Sequence, residues 1–283
     1  MGKTGLVMEG GSMRGIFTAG ALDVLMENDI TFDGAVGVSA GACFGCNIKS
    51  KQIGRAIRYN KKYCKNWRYM SIRSWILTGN AFGKEFAYYK LPFELDVWDE
   101  KTYRENPMDF YAVATDMKTG EAVYQLINEG GVEDIEWIRA SSSLPVMSKP
   151  VIINGRYLSD GGTSDSIPLK FMQEKGYEKN FVILTQPRDY VKHLNKPFWL
   201  FKIALRKYPA LIEALKRRPD MYNGETAYIK KQEELGNTFV IAPPAKLDIS
   251  PMEKNPDKME AVYQLGRKVM TERLEELKTF LEK

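Results

Sequence analysis

The sequence predicts an α/β fold. Twice within the first 45 residues a short apolar run ends in a glycine-rich turn and passes into a helical pattern. Further strand-like runs then alternate with helical segments almost to the end of the chain.

The first unit is Leu6-Val7-Met8, read as a buried strand, followed by Glu9-Gly10-Gly11-Ser12-Met13-Arg14-Gly15. A helical pattern then runs through Ile16, Ala19, Leu22, Val24 and Leu25. A glycine-rich strand-to-helix loop is a cradle of backbone amides suited to an anion. A dinucleotide fingerprint, with Asp33 as the ribose acid, competes for this stretch. Ser12 stands where that fingerprint needs a second spaced glycine. The second unit is a strand over 32–38, a turn at Ser39 within Gly37-Val38-Ser39-Ala40-Gly41, and a helix from Ala40 to about Ser50. A serine at such a turn is held in a strained backbone with its hydroxyl exposed above the sheet. The amides opening the next helix lack intrahelical partners and suit a developing oxyanion. Cys43-Phe44-Gly45-Cys46 is read as two small apolar residues on a packed helix, since no second cysteine pair exists to complete a zinc site.

Residues 51–90 are basic and aromatic and are expected to be mostly helical. Phe110–Thr115 and Ala122–Leu126, joined at Asp116–Gly120, predict a hairpin. A short helix is expected over 133–142. A second hairpin, bent at Asn154-Gly155, runs into Ser159-Asp160-Gly161-Gly162. A helix near 166–174 and a strand at Phe181–Leu184 complete a unit spanning 1–186. In the remainder, 187–283, Pro197, Pro209 and Pro219 are expected to divide helical pieces. One strand follows at Thr238–Ala242, then a last helix over about 256–281.

Composition bounds the chemistry. The chain has 283 residues, 44% hydrophobic and 27% charged, as in ordinary globular proteins. No apolar run is long enough to span a bilayer, and the N-terminal apolar stretch is too short for a signal peptide. Three cysteines fit a reducing compartment, so the expected location is the cytoplasm. His193 is the single histidine, so a Ser–His–acid triad would have to use it and a multi-histidine metal site is impossible. No metal or cofactor is expected.

Three stretches stand in order: Gly10–Gly15, Gly37–Gly41 and Asp160–Gly162. With Thr115-Asp116, Thr119-Gly120, Ala140-Ser141 and Pro145, they resemble the patatin-like phospholipase family over about residues 5–185. The resemblance implies a three-layer α/β/α fold and ester hydrolysis of lipids or phospholipids by a Ser–Asp dyad without histidine. It implies Ser39 as nucleophile and Asp160 as base. Gly10, Gly11, Ser12, Met13 and Arg14 would form the oxyanion loop. Ser12 departs from the family's third consecutive glycine; its side chain would narrow the site or add a donor. The C-terminal part resembles the extension of one bacterial branch, expected to cover the core and shape access. Two other readings share this fold: a lipid-binding module without turnover, and an acyltransferase.

The net charge of +5 is concentrated. Residues 34–83 contain no Asp or Glu, while nine Lys or Arg lie between Lys49 and Arg73. They are interleaved with Tyr59, Tyr63, Trp67, Tyr69 and Trp75. A solvated basic helix face with its aromatics turned inward is one reading. The other is peripheral contact with an anionic membrane, with Lys61, Lys62 and Lys65 among the contact residues. No nucleic-acid module is recognisable in the pattern.

Overall fold

A computed structural model describes residues 2–194 and 198–282. Eight strands form one sheet: β1 (Lys3–Met8), β2 (Gly34–Val38), β3 (Asp109–Asp116), β4 (Ala122–Leu126), β5 (Val151–Ile153), β6 (Arg156–Asp160), β7 (Tyr177–Ile183) and β8 (Thr238–Ile241). The pairs β2/β3, β1/β2, β1/β7 and β7/β8 are parallel, whereas β3/β4, β3/β6 and β5/β6 are antiparallel.

The central strands are buried on both faces, which is why they read as continuous apolar runs. Their alternation still sorts the two faces. Leu6, Met8, Ala35, Phe110, Phe181 and Ile183 meet one set of helices. That layer contains α1 (Gly15–Glu27), α2 (Ala40–Lys49), α6 (Val132–Ser141) and α10 (Pro256–Glu282). Val7, Val36, Val38, Val113 and Val182 meet α7 (Leu169–Glu174) and α9 (Pro209–Glu234) on the other face. The three-layer α/β/α arrangement is therefore present, and the C-terminal residues are built into it. β8 extends the sheet beside β7, and α10 lies against α1.

The α1–α10 crossing is close enough to need glycine on both helices. A Cβ on Gly20 would collide with the Tyr263 carbonyl, and one on Gly266 with the Phe17 carbonyl.

Local departures from the sequence reading have identifiable causes. The basic region forms α3 (Arg55–Tyr63), α4 (Ile72–Thr78) and a wide π-helical segment over Lys84–Leu95. Further on, α5 (Glu100–Glu105) and α8 (Trp199–Ala204) are short. The helix expected near 166 begins at Leu169, because Pro168 occupies its N-cap and the Ser166 and Ile167 amides donate to Glu225 instead. Pro209 opens α9 as expected, but Pro219 lies inside α9 and does not divide it. A mid-helix proline costs about 3 kcal/mol. Here Leu211 and Ala214 before it, and Tyr222 and Ile229 after it, are all buried, which offsets that cost. Pro197 lies outside the described residues.

Gly266→Val should lower unfolding stability by about 3 kcal/mol, the upper range for overpacking. Urea unfolding measures it. An unchanged transition midpoint would show that α10 does not pack on α1 at this glycine.

Candidate active site

The site is assembled by strand register. β4 and β6 both pair with Ala114 and Thr115 of β3, so they occupy opposite edges of that strand. β4 and β2 likewise share Tyr111, Ala112 and Val113. Hence β2 and β6 lie on the same edge, β2 ending at Val38 opposite Val113 and β6 ending at Asp160 opposite Ala114. Two strands running toward each other stop at adjacent positions, and Ser39 and Asp160 are the residues at that junction.

Ser39 has φ 53 and ψ −116, a conformation costly for a residue with a side chain. The neighbouring glycines are required by proximity. A Cβ on Gly37 would meet the Gly41 carbonyl group at 2.5 Å, and one on Gly41 would collide with the Met8 carbonyl. The Ser39 amide donates to Ser141 Oγ at 2.8 Å, and its carbonyl accepts the Ala42 and Cys43 amides at 3.0 Å. These bonds fix the backbone and leave the hydroxyl uncommitted.

Asp160 is buried. Its amide donates to the Ser143 carbonyl at 2.8 Å, its carbonyl accepts from Thr115 Oγ1 at 2.8 Å, and its Oδ1 accepts the Gly162 amide at 2.9 Å. Oδ2 is buried and makes no hydrogen bond. Burial pushes the carboxyl above the usual aspartate range; the Ser39 hydroxyl, the Arg218 guanidinium and the Gly162 amide oppose that rise. The Ser39 hydroxyl therefore lies close enough to the Asp160 carboxyl to favour its ionised form.

The loop Gly10–Arg14 lies directly over the serine. A Cβ on Gly10 would sit 3.1 Å from that of Ser39. Ser12 has φ 50, and the Arg14 amide closes a 3₁₀ turn on the Gly11 carbonyl at 3.1 Å. Among the described residues the Gly10, Gly11, Ser12 and Met13 amides have no acceptor. The Ser12 hydroxyl turns away to donate to the Pro251 carbonyl at 2.6 Å. Its side chain therefore anchors the loop to the segment before α10.

Sequence reasoning missed the groups behind this loop. Glu9 is buried, accepting from the Thr185 amide at 2.6 Å and the Tyr222 hydroxyl at 3.0 Å. Burial raises its carboxyl, with the Thr185 amide, Arg14, Tyr222 and Lys192 opposing. Lys192 lies 4.2 Å from the Tyr222 ring centre. Burial, with repulsion from Arg218 and Arg14, lowers its ammonium to about 8 against the pull of Glu9. Arg218, from α9, donates through Nε to the Gly162 carbonyl, beside Asp160. No local signal marks Arg218, because its partner is 56 residues away.

A cavity enclosing about 800 Å³, solvent mouth included, opens from Ser39 toward α2, α3 and α6. Its walls are mainly apolar, among them Met13, Phe44, Tyr69, Tyr88, Leu91 and Ile138. Cys43 and Cys46 belong to this wall on α2, with burial raising their thiols to about 11 and about 12. His193 is exposed and contributes to a separate pocket.

These features define a three-layer α/β protein with a strained serine facing a buried carboxyl at the end of an apolar cavity. The chain belongs to the patatin-like phospholipase family, whose model matches residues 6–172. A second model, described as a domain of unknown function (DUF6363), matches residues 208–282. The uncharacterized protein YjjU of Escherichia coli K12 is 28% identical over 280 residues, covering 94% of this chain and 75% of that protein. The lysophospholipases NTE1 of Kluyveromyces lactis and Saccharomyces cerevisiae are each 27% identical, over 212 and 213 residues. They match 69% of this chain, which spans only 14% and 12% of their respective lengths. VipD from Legionella pneumophila superposes with a TM-score of 0.48 at 13% identity, over 98% of this chain and 67% of that one.

Because the Asp160 carboxyl holds its proton more tightly folded than unfolded, its ionisation costs stability as pH rises through the folded pKa. Asp160→Asn removes that cost and can still accept the Gly162 amide. At pH 8 the variant should therefore melt at or above the wild-type temperature by circular dichroism. A midpoint several degrees lower would mean the charged carboxylate is net stabilising.

Proposed function

We propose that the protein is a serine acyl hydrolase acting on lipid or phospholipid esters through a Ser39–Asp160 dyad. The observation that carries this reading is the buried, unpartnered Oδ2 of Asp160 beside the strained Ser39. A carboxyl poised there can take the serine proton as Oγ attacks the ester carbonyl. Its pKa, raised by burial, brings its proton affinity closer to that of a useful base.

As the carbonyl oxygen becomes an oxyanion, the free amides of the Gly10–Met13 loop beside Ser39 are donors available to it. Collapse of the tetrahedral intermediate breaks the ester C–O bond, and the proton held on Asp160 passes to the leaving alkoxide. Water then attacks the acyl-serine, Asp160 accepting its proton, and collapse returns that proton to Ser39 Oγ. The apolar cavity takes the acyl chain. Family membership and the lysophospholipase relatives support ester hydrolysis as the reaction.

The test is hydrolysis of p-nitrophenyl esters and phospholipids by wild type and variants. Ser39→Ala and Asp160→Asn should each lose at least a thousandfold in kcat/KM, about 4 kcal/mol or more of barrier, and the double variant should be little worse. His193→Ala should stay within a few-fold of wild type. Near-full activity in Asp160→Asn, or loss of activity in His193→Ala, would overturn the dyad.

The pH profile gives a second test. The acidic limb of kcat/KM should lie above the ordinary aspartate range, since burial outweighs the opposing groups. Arg218 lowers the Asp160 pKa, so Arg218→Met should move that limb to higher pH. An unmoved limb would remove Arg218 from the electrostatics of the base.

A further inference from the structure

The basic segment is not one continuous charged face. Four of its nine cations are engaged within the fold. Lys49 is buried, donating to the Asn106 and Met108 carbonyls, and Arg55 is buried against Asp96. Arg58 pairs with Asp96 and Lys61 with Glu260. Tyr59 and Tyr69 point inward and line the acyl cavity.

What the segment exposes instead is the apolar side of α4. Ile72, Ile76 and Leu77 are 59%, 72% and 63% exposed. α8 does the same: Trp199, Leu200 and Ile203 are 59%, 48% and 61% exposed, while Phe201 and Leu205 pack inward with Met117, Val146 and Tyr157. Large apolar side chains grouped in this way mark an interaction site.

The two helices flank one groove, lined by Trp75 and Gly79 from the α4 side and Ala204 and Leu205 from α8. Both are fastened to Val146: Trp75 Nε1 donates to its carbonyl at 2.9 Å, and the α8 cluster packs on its side chain. Val146 has φ 71, a rare conformation for a β-branched residue. The same loop reaches the site, since Leu144 lines the acyl cavity and the Ser143 carbonyl holds the Asp160 amide.

The two chain segments that carry these helices bear charge of one sign. Residues 34–83 and 190–212 contain no Asp or Glu. Arg68 before α4 and Arg73 on it, and Lys202, Arg206 and Lys207 on or beside α8, are exposed and have no ion pair among the described residues. Arg73 lies 4.5 Å from the Trp67 ring centre. Exposed Trp, Ile and Leu with unpaired cations suit an interface of apolar chains and anionic headgroups. Among the described residues no helix is long and apolar enough to cross a membrane, so such contact would be peripheral.

We propose that α4 and α8 together form the face by which this protein docks on an anionic lipid bilayer, joined to the acyl cavity through the Leu144–Val146 loop. The choice of a bilayer as occupant rests on the ester-hydrolase reading and on the charge complementarity. The docking itself needs no turnover and can be measured in Ser39→Ala.

The experiment is flotation of the Ser39→Ala protein with phosphatidylcholine vesicles and with phosphatidylcholine–phosphatidylglycerol vesicles. Binding should favour the anionic vesicles and fall with added salt as the charges are screened. Ile76→Ser with Leu77→Ser, and separately Trp199→Ser with Ile203→Ser, should each weaken partitioning at least tenfold. Lys61→Gln with Lys62→Gln should leave it within twofold. A measurement without disruptive mutations keeps the test open if a variant unfolds: brominated acyl chains should quench a fluorescence component that Trp199→Phe removes. Equal binding to neutral and anionic vesicles, wild-type partitioning by both apolar variants, or absence of Trp199 quenching would overturn the proposal. A wild-type dimer that ignores vesicles and dissociates in these variants would overturn it in favour of a second copy of the chain. Vesicle binding as proposed, with Ser39 dispensable for ester hydrolysis, would leave the docking face standing and remove the dyad.

Discussion

Everything at the site depends on one edge of β3. That edge is hydrogen-bonded by β2 as far as Val113 and by β6 from Ala114 onward. No strand can pair there beyond its neighbour's end, so the chain must leave the sheet on both sides of the junction. It leaves as the strained turn at Ser39 on one side and as Asp160-Gly161-Gly162 on the other. The rest of the core holds these ends still. Ser141 at the end of α6 fixes the Ser39 amide, Ser143 the Asp160 amide, and Thr115 the Asp160 carbonyl.

The C-terminal part contributes more than a cover. α9 delivers Tyr222 to Glu9 beneath the glycine loop and Arg218 to the turn after Asp160. The segment before α10 receives the Ser12 hydroxyl. The glycine loop is therefore tethered at its start, through Glu9, and at Ser12, by residues more than 200 positions away. This gives Ser12 a structural reason to differ from glycine: its hydroxyl spends its donor on Pro251, away from the serine.

Legibility in the sequence followed the range of the physics. The Ser39 turn was readable because its cause is local: a strand, a helix, and glycines where the two backbones approach closely. Asp160 was readable only from the order of motifs, since an aspartate before two glycines is otherwise an ordinary turn residue. Lys49 was misleading. In a run of cations it looks solvated, but it folds inward, donating to carbonyls beside Tyr103. Pro219 misled in the opposite way, because buried neighbours on both sides hold α9 together through it. Arg218, Glu9 and Lys192 carried no local pattern; only the tertiary fold brings them near the site. The exposed faces of α4 and α8 were equally illegible, since apolar residues in a helical segment do not declare whether they turn inward or out.

In the proposed mechanism Ser39 is a nucleophile activated by Asp160 alone. Its most direct test is labelling with a fluorophosphonate, followed by peptide mass spectrometry and stopped-flow rates. Labelling should give one adduct, on Ser39, forming at wild-type rate in His193→Ala and at least a hundredfold more slowly in Asp160→Asn. An adduct on another serine, or undiminished labelling of Ser39 in Asp160→Asn, would contradict it.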